Sequence, residues 1–174
     1  MKHRAFSLIE LLVVVFLISL VYYFVLSNVA MDKNQEEKIL TPLTLPSIAQ
    51  ELLESEGELF CINECQTCYY ALANGDIHSF EGKIDLGKEV EVYTLDRSNS
   101  LQKQEFGRID DAKVCLRFRL YLNQSSTKLV IQNTHGVFYL PSYFGEPQKV
   151  ATLEEAQELW IQHNRIISSG GDFY

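Results

Sequence analysis

The sequence predicts an α+β protein: an N-terminal membrane-spanning α-helix followed by a head with an antiparallel β-sheet and a C-terminal helix. Three observations lead there. Residues 6–26 hold a single charged residue, Glu10, in a stretch of 21. From Glu58 to Leu140, runs of alternating apolar residues are separated by turn signals, the mark of half-buried strands. After Thr152 the apolar spacing lengthens to that of a helix, with Leu153, Ala156, Leu159, Trp160 and His163 on one side and an expected end near Ile166. A chain of 174 residues fits one ordinary domain plus a membrane segment. The expected division is a leader over 1–5, a transmembrane helix over 6–26, a helix extension and Pro-containing linker over 27–46, and an α+β head over 47–174.

The 6–26 run, as a helix, rises about 30 Å, enough to cross a bilayer core. Lys2, His3 and Arg4 precede it, and Lys33 is followed by Glu36 and Glu37. The positive-inside rule then puts the N-terminus in the cytoplasm and the head outside it. A secretory signal peptide would need a small-residue cleavage site after the apolar stretch. Ser27-Asn28-Val29-Ala30 is a passable candidate, but the run is long for that class. A plain signal anchor fits the length and leaves Glu10 unexplained. A carboxylate in a spanning helix costs about 2.5–3.5 kcal/mol, less near the interface, so it needs a partner.

The segment Lys2-His3-Arg4-Ala5-Phe6-Ser7-Leu8-Ile9-Glu10-Leu11-Leu12-Val13-Val14 resembles the prepilin processing motif of type IV pilins and type II secretion pseudopilins. The resemblance implies cleavage of a short basic leader by a prepilin peptidase between Ala5 and Phe6, and N-methylation of Phe6. Glu10 then stands at the fifth mature position. The residue before the cut is usually Gly in this family; here it is Ala5, a small residue too. The physics is coherent. The new amine is a cation at the edge of a low-dielectric medium, and Glu10 is an anion one turn deeper. Paired within a subunit or with a neighbour shifted along the helix axis, each lowers the other's desolvation cost. The resemblance makes Glu10 an assembly residue.

Past the membrane run the helix is expected to continue through Lys38 and to be interrupted by Pro42 and Pro46. Ser47, with Gln50 three residues on, reads as the cap of a short helix from Ile48 to Ser55 that ends near Gly57. Asn74-Gly75 signals a hairpin between Cys68–Ala73 and Ile77–Phe80. Val90–Leu95 alternates. The clearest strand is Ala112–Leu122: Ala112, Val114, Leu116, Phe118, Leu120 and Leu122 face one way, and Lys113, Cys115, Arg117, Arg119 and Tyr121 the other. Lys128–Gln132 and Gly136–Leu140 read as a second hairpin. The order of strands is not legible.

Cys61, Cys65 and Cys68 form a C-x3-C-x2-C cluster, and Cys115 lies apart on the main strand. An oxidising compartment favours two disulfides, and four cysteines allow three pairings. A bridge from the cluster to Cys115 would close a loop of roughly 50 residues and stabilise by about 3–4 kcal/mol in the entropy model. The alternatives are a four-cysteine zinc site and an iron–sulfur cluster of the kind the triplet resembles in radical S-adenosylmethionine enzymes. The latter needs a barrel and a reducing compartment that this chain does not offer.

No catalytic residue, metal or cofactor is expected. His78, His135 and His163 lack a paired nucleophile and carboxylate at an interpretable spacing. Asp110-Asp111 lacks the alternating oxygen ligands of a calcium loop and reads as a solvated turn. Lys113, Arg117 and Arg119 make a small basic stripe, read as an exposed face paired with carboxylates. Tyr69, Tyr70 and Trp160 are assigned to packing. The formal charge is −8, and loss of Lys2 and Arg4 with the leader would bring it to −10, so direct nucleic-acid binding is disfavoured.

The function expected is that of a pilin-like structural subunit, a pseudopilin or minor pilin, of a type II secretion or type IV pilus-type filament. Its partners would be the prepilin peptidase, other pilin or pseudopilin subunits and an inner-membrane assembly platform. The location would be a bacterial inner membrane, single-pass, with the head in the periplasm. The alternatives are a pseudopilin of a DNA-uptake apparatus, a membrane-anchored periplasmic binding protein that never polymerises, and a metal-dependent enzyme.

Overall fold

The computed structural model describes residues 8–31, 38–143 and 145–169, with side chains of 24–31 and 166–169 outside the description. The chain divides into two compact units, Met1–Glu36 and Glu37–Tyr174. In the first, α1 runs over Leu8–Met31, 24 residues. No glycine or proline interrupts this run of Leu, Val, Ile and Phe. The Ser19 hydroxyl, in the middle of α1, donates to the Val15 carbonyl at 2.8 Å, so this polar group is satisfied within the helix.

The second unit begins with β1, Ile39–Leu40, and α2, Leu45–Leu53. The sheet strands follow: β2 Gly57–Ile62, β3 Thr67–Leu72, β4 Ile77–Ser79, β5 Lys83–Ile84, β6 Glu91–Leu95, β7 Leu101–Lys103, β8 Arg108–Ile109, β9 Ala112–Leu120, β10 Leu129–Asn133, β11 Gly136–Leu140 and β12 Gln148–Val150. The chain then forms α3, Leu153–Ser169. Two five-stranded antiparallel sheets result, ordered β4-β3-β2-β9-β8 and β12-β11-β10-β6-β7, with β1 and β5 pairing in parallel beside them. The head thus has two antiparallel sheets where the sequence suggested one.

One core lies between α2 and the two sheets. Leu45, Ile48, Ala49 and Leu53 from α2 meet Leu59, Leu116, Phe118 and Leu120 of the first sheet and Val92, Leu129, Ile131, Phe138 and Leu140 of the second. The second sheet is covered on its other face too, where Val130, Val137, Tyr139 and Val150 pack on Ala156 and Trp160 of α3. This explains the run Leu129-Val130-Ile131: β10 is central and buried on both faces, so it does not alternate. The register agrees, with Leu129 opposite Leu140 and Ile131 opposite Phe138 for one face, and Val130 opposite Tyr139 for the other.

Several local expectations change. Lys38 lies outside any helix, and Ile39–Leu40 pairs as a strand. Pro46 sits in the first turn of α2, where its missing N–H costs nothing, so it belongs to the short helix and not to the linker before it. The cap position belongs to Thr44, not Ser47. The Thr41 and Thr44 side chains each accept from the other's backbone N–H, at 3.1 and 2.8 Å, and fix the entry to α2. Gly57 opens β2 instead of ending the helix. The main strand stops at Leu120, and Leu122 is 73% exposed on the following turn. Thr152 caps α3 as expected, accepting from the Glu155 N–H at 3.2 Å, while the Glu155 carboxylate accepts from the Ala151 N–H at 2.7 Å.

Candidate functional site

Two places carry the chemistry singled out in the sequence: the start of α1 and the cysteine cluster. Ala5 and Phe6, the expected cleavage junction and methylation position, lie outside the described residues. Glu10 lies in the first turn of α1, where the positive end of the helix dipole favours a carboxylate. Its neighbours Leu8, Ile9, Leu11 and Leu12 are all more than half exposed, and the side chains stay exposed through Tyr23. A helix that is apolar on every face needs a non-aqueous surrounding or helical neighbours. Among the described residues no helix is long and apolar enough to cross a membrane.

The cysteines form two bridges, Cys61–Cys68 and Cys65–Cys115. All four sulfurs are used, so the zinc alternative has no thiolates to work with. Cys61 and Cys68 face each other directly across β2 and β3. Cys65 lies in the tight turn between them, where Asn63, Glu64 and Cys65 all adopt positive φ, 53°, 55° and 63°. Cys115 is set apart by a different device. On the β2–β9 ladder Cys61 pairs with Leu116 and Ile62 with Val114, so Cys115 is the unpaired residue of a β-bulge. From there Cys115 bridges to Cys65 across a sequence separation of 50.

Beside this bridge a groove of about 1060 Å³ opens. Its wall includes Cys65, Cys115, Lys88, Lys113, Glu89 and Glu105. Glu91 at its side bonds Lys103 at 2.5 Å and accepts from Tyr93 at 2.5 Å. The Lys103 bond, then the Tyr93 bond, hold the Glu91 carboxyl below its ordinary range. The same bond pushes the Tyr93 hydroxyl up to about 12. The groove had no signature in the sequence, because five separate loops and strand ends build it.

The remaining candidates are dispersed. Of the basic stripe, Lys113 lines the groove, Arg117 pairs with Glu58 at 3.6 Å, and Arg119 sits 5.7 Å over the Tyr121 ring. His78 stacks on Tyr70, His135 lies 3.8 Å from Asp85, and His163 Nδ1 is 2.8 Å from the Tyr139 hydroxyl. Asp110 is a turn residue with φ 50°, and Arg108 donates to the Asp111 carbonyl. Tyr69 stacks on Phe60 on the outer face of the first sheet, and Trp160 is buried where α3 packs on the second sheet. Among the described residues no group of three or more His, Cys, Asp or Glu is placed to hold a metal ion.

A cluster that sequence reasoning missed surrounds Lys128. Its ammonium lies 5.0 Å from the Trp160 ring centre and 5.6 Å from that of Tyr139, and it donates to Asn164 Oδ1 at 2.9 Å and the Trp160 carbonyl at 3.3 Å. Burial lowers this amine to about 8. Burial, then the Lys128 charge, lowers His163 as well. The arrangement fastens α3 to the second sheet.

Neither the comparison with curated proteins nor that with solved structures found a match. Residues 1–21 match the family model of the prokaryotic N-terminal methylation motif. That motif implies processing by a prepilin peptidase and assembly with other pilin subunits, and the family it marks is structural. With Glu10 in the first turn of an apolar helix, the chain thus carries a prepilin-type N-terminus consistent with the type IV pilin-like and pseudopilin family.

Proposed function

We propose that this protein is a pilin-like structural subunit, a pseudopilin or minor pilin, that is cut between Ala5 and Phe6, N-methylated at Phe6, and assembled through Glu10 into a filament of the type II secretion or type IV pilus kind. The observation that carries this reading is the methylation motif over residues 1–21, joined to Glu10 as the sole charge in the first turn of α1. In this reading the run 6–26, which extends past the described residues at its start and past the described side chains at its end, anchors the chain in the inner membrane, and the head, with two disulfides, sits in the oxidising periplasm. The hydrocarbon surrounding suits a helix exposed on every face, and the Ser19 bond to Val15 suits it too, since no water is there to satisfy a hydroxyl. In this reading the chain acts by assembly, without catalysis. Mass spectrometry of the protein purified from membranes tests it. A mature chain starting at N-methylated Phe6 is expected. A chain still starting at Met1 would sink the filament reading and leave a membrane-anchored protein that does not polymerise.

A further inference from the structure

We propose that Cys65–Cys115 is a site of thiol–disulfide exchange, open to a thiol or dithiol reductant through the groove, while Cys61–Cys68 is a closed structural bridge. The inference stands apart from the filament reading.

The two bridges differ in access. Cys61, Cys65 and Cys68 are 0%, 3% and 1% exposed and share one core cluster, so the two bridges differ at Cys115. Cys115 is partly exposed and, with Cys65, forms part of the groove wall. Cys115 alternates with the buried Val114 and Leu116 on β9 and so lies on the opposite face of the strand. Exchange needs an attacking thiolate to reach a sulfur, so access decides which bridge reacts. Charge does not favour entry: Lys88 and Lys113 line the groove, but Glu64, Glu89 and Glu105 in the same wall outnumber them, so access alone carries the difference between the bridges.

The chemistry balances without a further reactant. A thiolate attacks Cys115 Sγ, which belongs to a residue more exposed than Cys65, itself 3% exposed. The S–S bond breaks, Cys65 leaves as the thiolate and takes up a proton. The second thiol of the reductant then attacks the mixed disulfide, freeing the Cys115 thiol. Two electrons pass from the dithiol to the bridge, and the reductant leaves as a disulfide. The mechanical consequence follows from the turn. Asn63, Glu64 and Cys65 hold three successive left-handed conformations that non-glycine residues adopt at a cost. Release of Cys65 lets this turn relax and reshapes the groove wall that Glu64, Cys65 and Gln66 provide.

Two measurements on the full-length chain in detergent test this. Dithiothreitol is added in steps, free thiols are alkylated, and the labelled cysteines are mapped, with Trp160 fluorescence followed in parallel. Cys65 and Cys115 should be labelled about tenfold faster than Cys61 and Cys68, while the fluorescence stays native. Opening of Cys61–Cys68 first, opening of both bridges together, or opening only as Trp160 fluorescence is lost would each overturn the proposal. The second measurement compares Cys65→Ser with Cys115→Ser, which lose the same bridge. With an aromatic disulfide probe, the former, exposing Cys115, should react about tenfold faster than the latter. Equal or reversed rates would overturn the assignment of Cys115 as the attacked sulfur.

Discussion

Cys65 and Cys115 join the β2–β3 turn to a bulge in β9 across a sequence separation of 50, whereas Cys61 and Cys68 close a separation of only 7 between adjacent strands. The two bridges therefore restrain the unfolded chain unequally. In the loop-entropy model the long bridge contributes about 4 kcal/mol and the short one about 2.5 kcal/mol. Replacing Cys65 and Cys115 together by Ala should lower the unfolding free energy by more than replacing Cys61 and Cys68 together. Urea titration of the full-length chain, read at Trp160, measures both. A larger loss from the short bridge would show that burial of Cys61 and Cys68, and not chain entropy, sets the order.

Gly57 and Gly75 separate two reasons for a glycine. Gly75 lies at the β3–β4 turn with φ 92°, and a Cβ there would meet nothing within 4 Å. Gly57 has no such φ, but a Cβ there would lie 2.5 Å from the Ala71 carbonyl oxygen and 2.6 Å from the Leu53 side chain. Gly75→Ala should cost about 1 kcal/mol through conformation alone. Gly57→Ala should cost about 1–3 kcal/mol, because α2 must shift off β2. Thermal unfolding of the two variants checks the ranking, and the reverse order would refute it.

Lys128 makes stability depend on alkaline pH. Burial lowers its native amine to about 8, while in the unfolded chain a lysine titrates near 10.4. Between these values the unfolded chain binds more protons than the native one, so stability from this group rises as pH climbs through that window. Below pH 8 both states are charged and the difference is constant. Lys128→Met keeps the stem that packs on Trp160 and removes the charge. From pH 8 to 10 the wild type should gain stability relative to the variant. Tyr93 rises to about 12, but both proteins carry it, so it cancels in the comparison. Urea midpoints measured at half-unit steps decide the matter. A flat difference, or one that falls with pH, would contradict the buried amine.

Local chemistry was legible where a residue type answers to one local cause. Asn74-Gly75 predicted its hairpin because the turn is built from the Asn74 side chain, which accepts from the Asp76 N–H at 3.0 Å, and from the freedom of Gly75. The alternation of β9 was legible for the same reason, since Val114, Leu116, Phe118 and Leu120 are all buried. Features fixed by distant partners were not. Ser47 looks like a cap, yet the pairing of Thr41 with Thr44 moves the start of α2 three residues earlier. Nothing in the spacing of the cysteines marks Cys115 as a bulge residue, because the bulge exists only against β2. Lys128 carries no signal either: its aromatic neighbours lie on β11 and α3, brought together by the second sheet. At the N-terminus the motif was fully legible, since its chemistry is local in sequence.

Glu10 gives the test of assembly as distinct from insertion. It is the sole acidic residue in the first turn of α1, and the surrounding side chains are apolar and exposed. If its role is to pair with the amine at Phe6 of a neighbouring subunit, Glu10→Ala removes one charge of the pair and leaves the other desolvated, a loss of about 3–5 kcal/mol where the pair is buried. Insertion should be untouched or improved, because the carboxylate opposes it by about 2.5–3.5 kcal/mol at most. Glu10→Gln keeps the shape and a hydrogen-bond acceptor and should recover little, since the amine needs a charge. The measurement is twofold: carbonate-resistant membrane fraction for insertion, and recovery of sheared or crosslinked filament for assembly. Both variants should remain in the membrane and be lost from the filament. Incorporation of Glu10→Ala at the wild-type level would remove the charge pair as the basis of assembly.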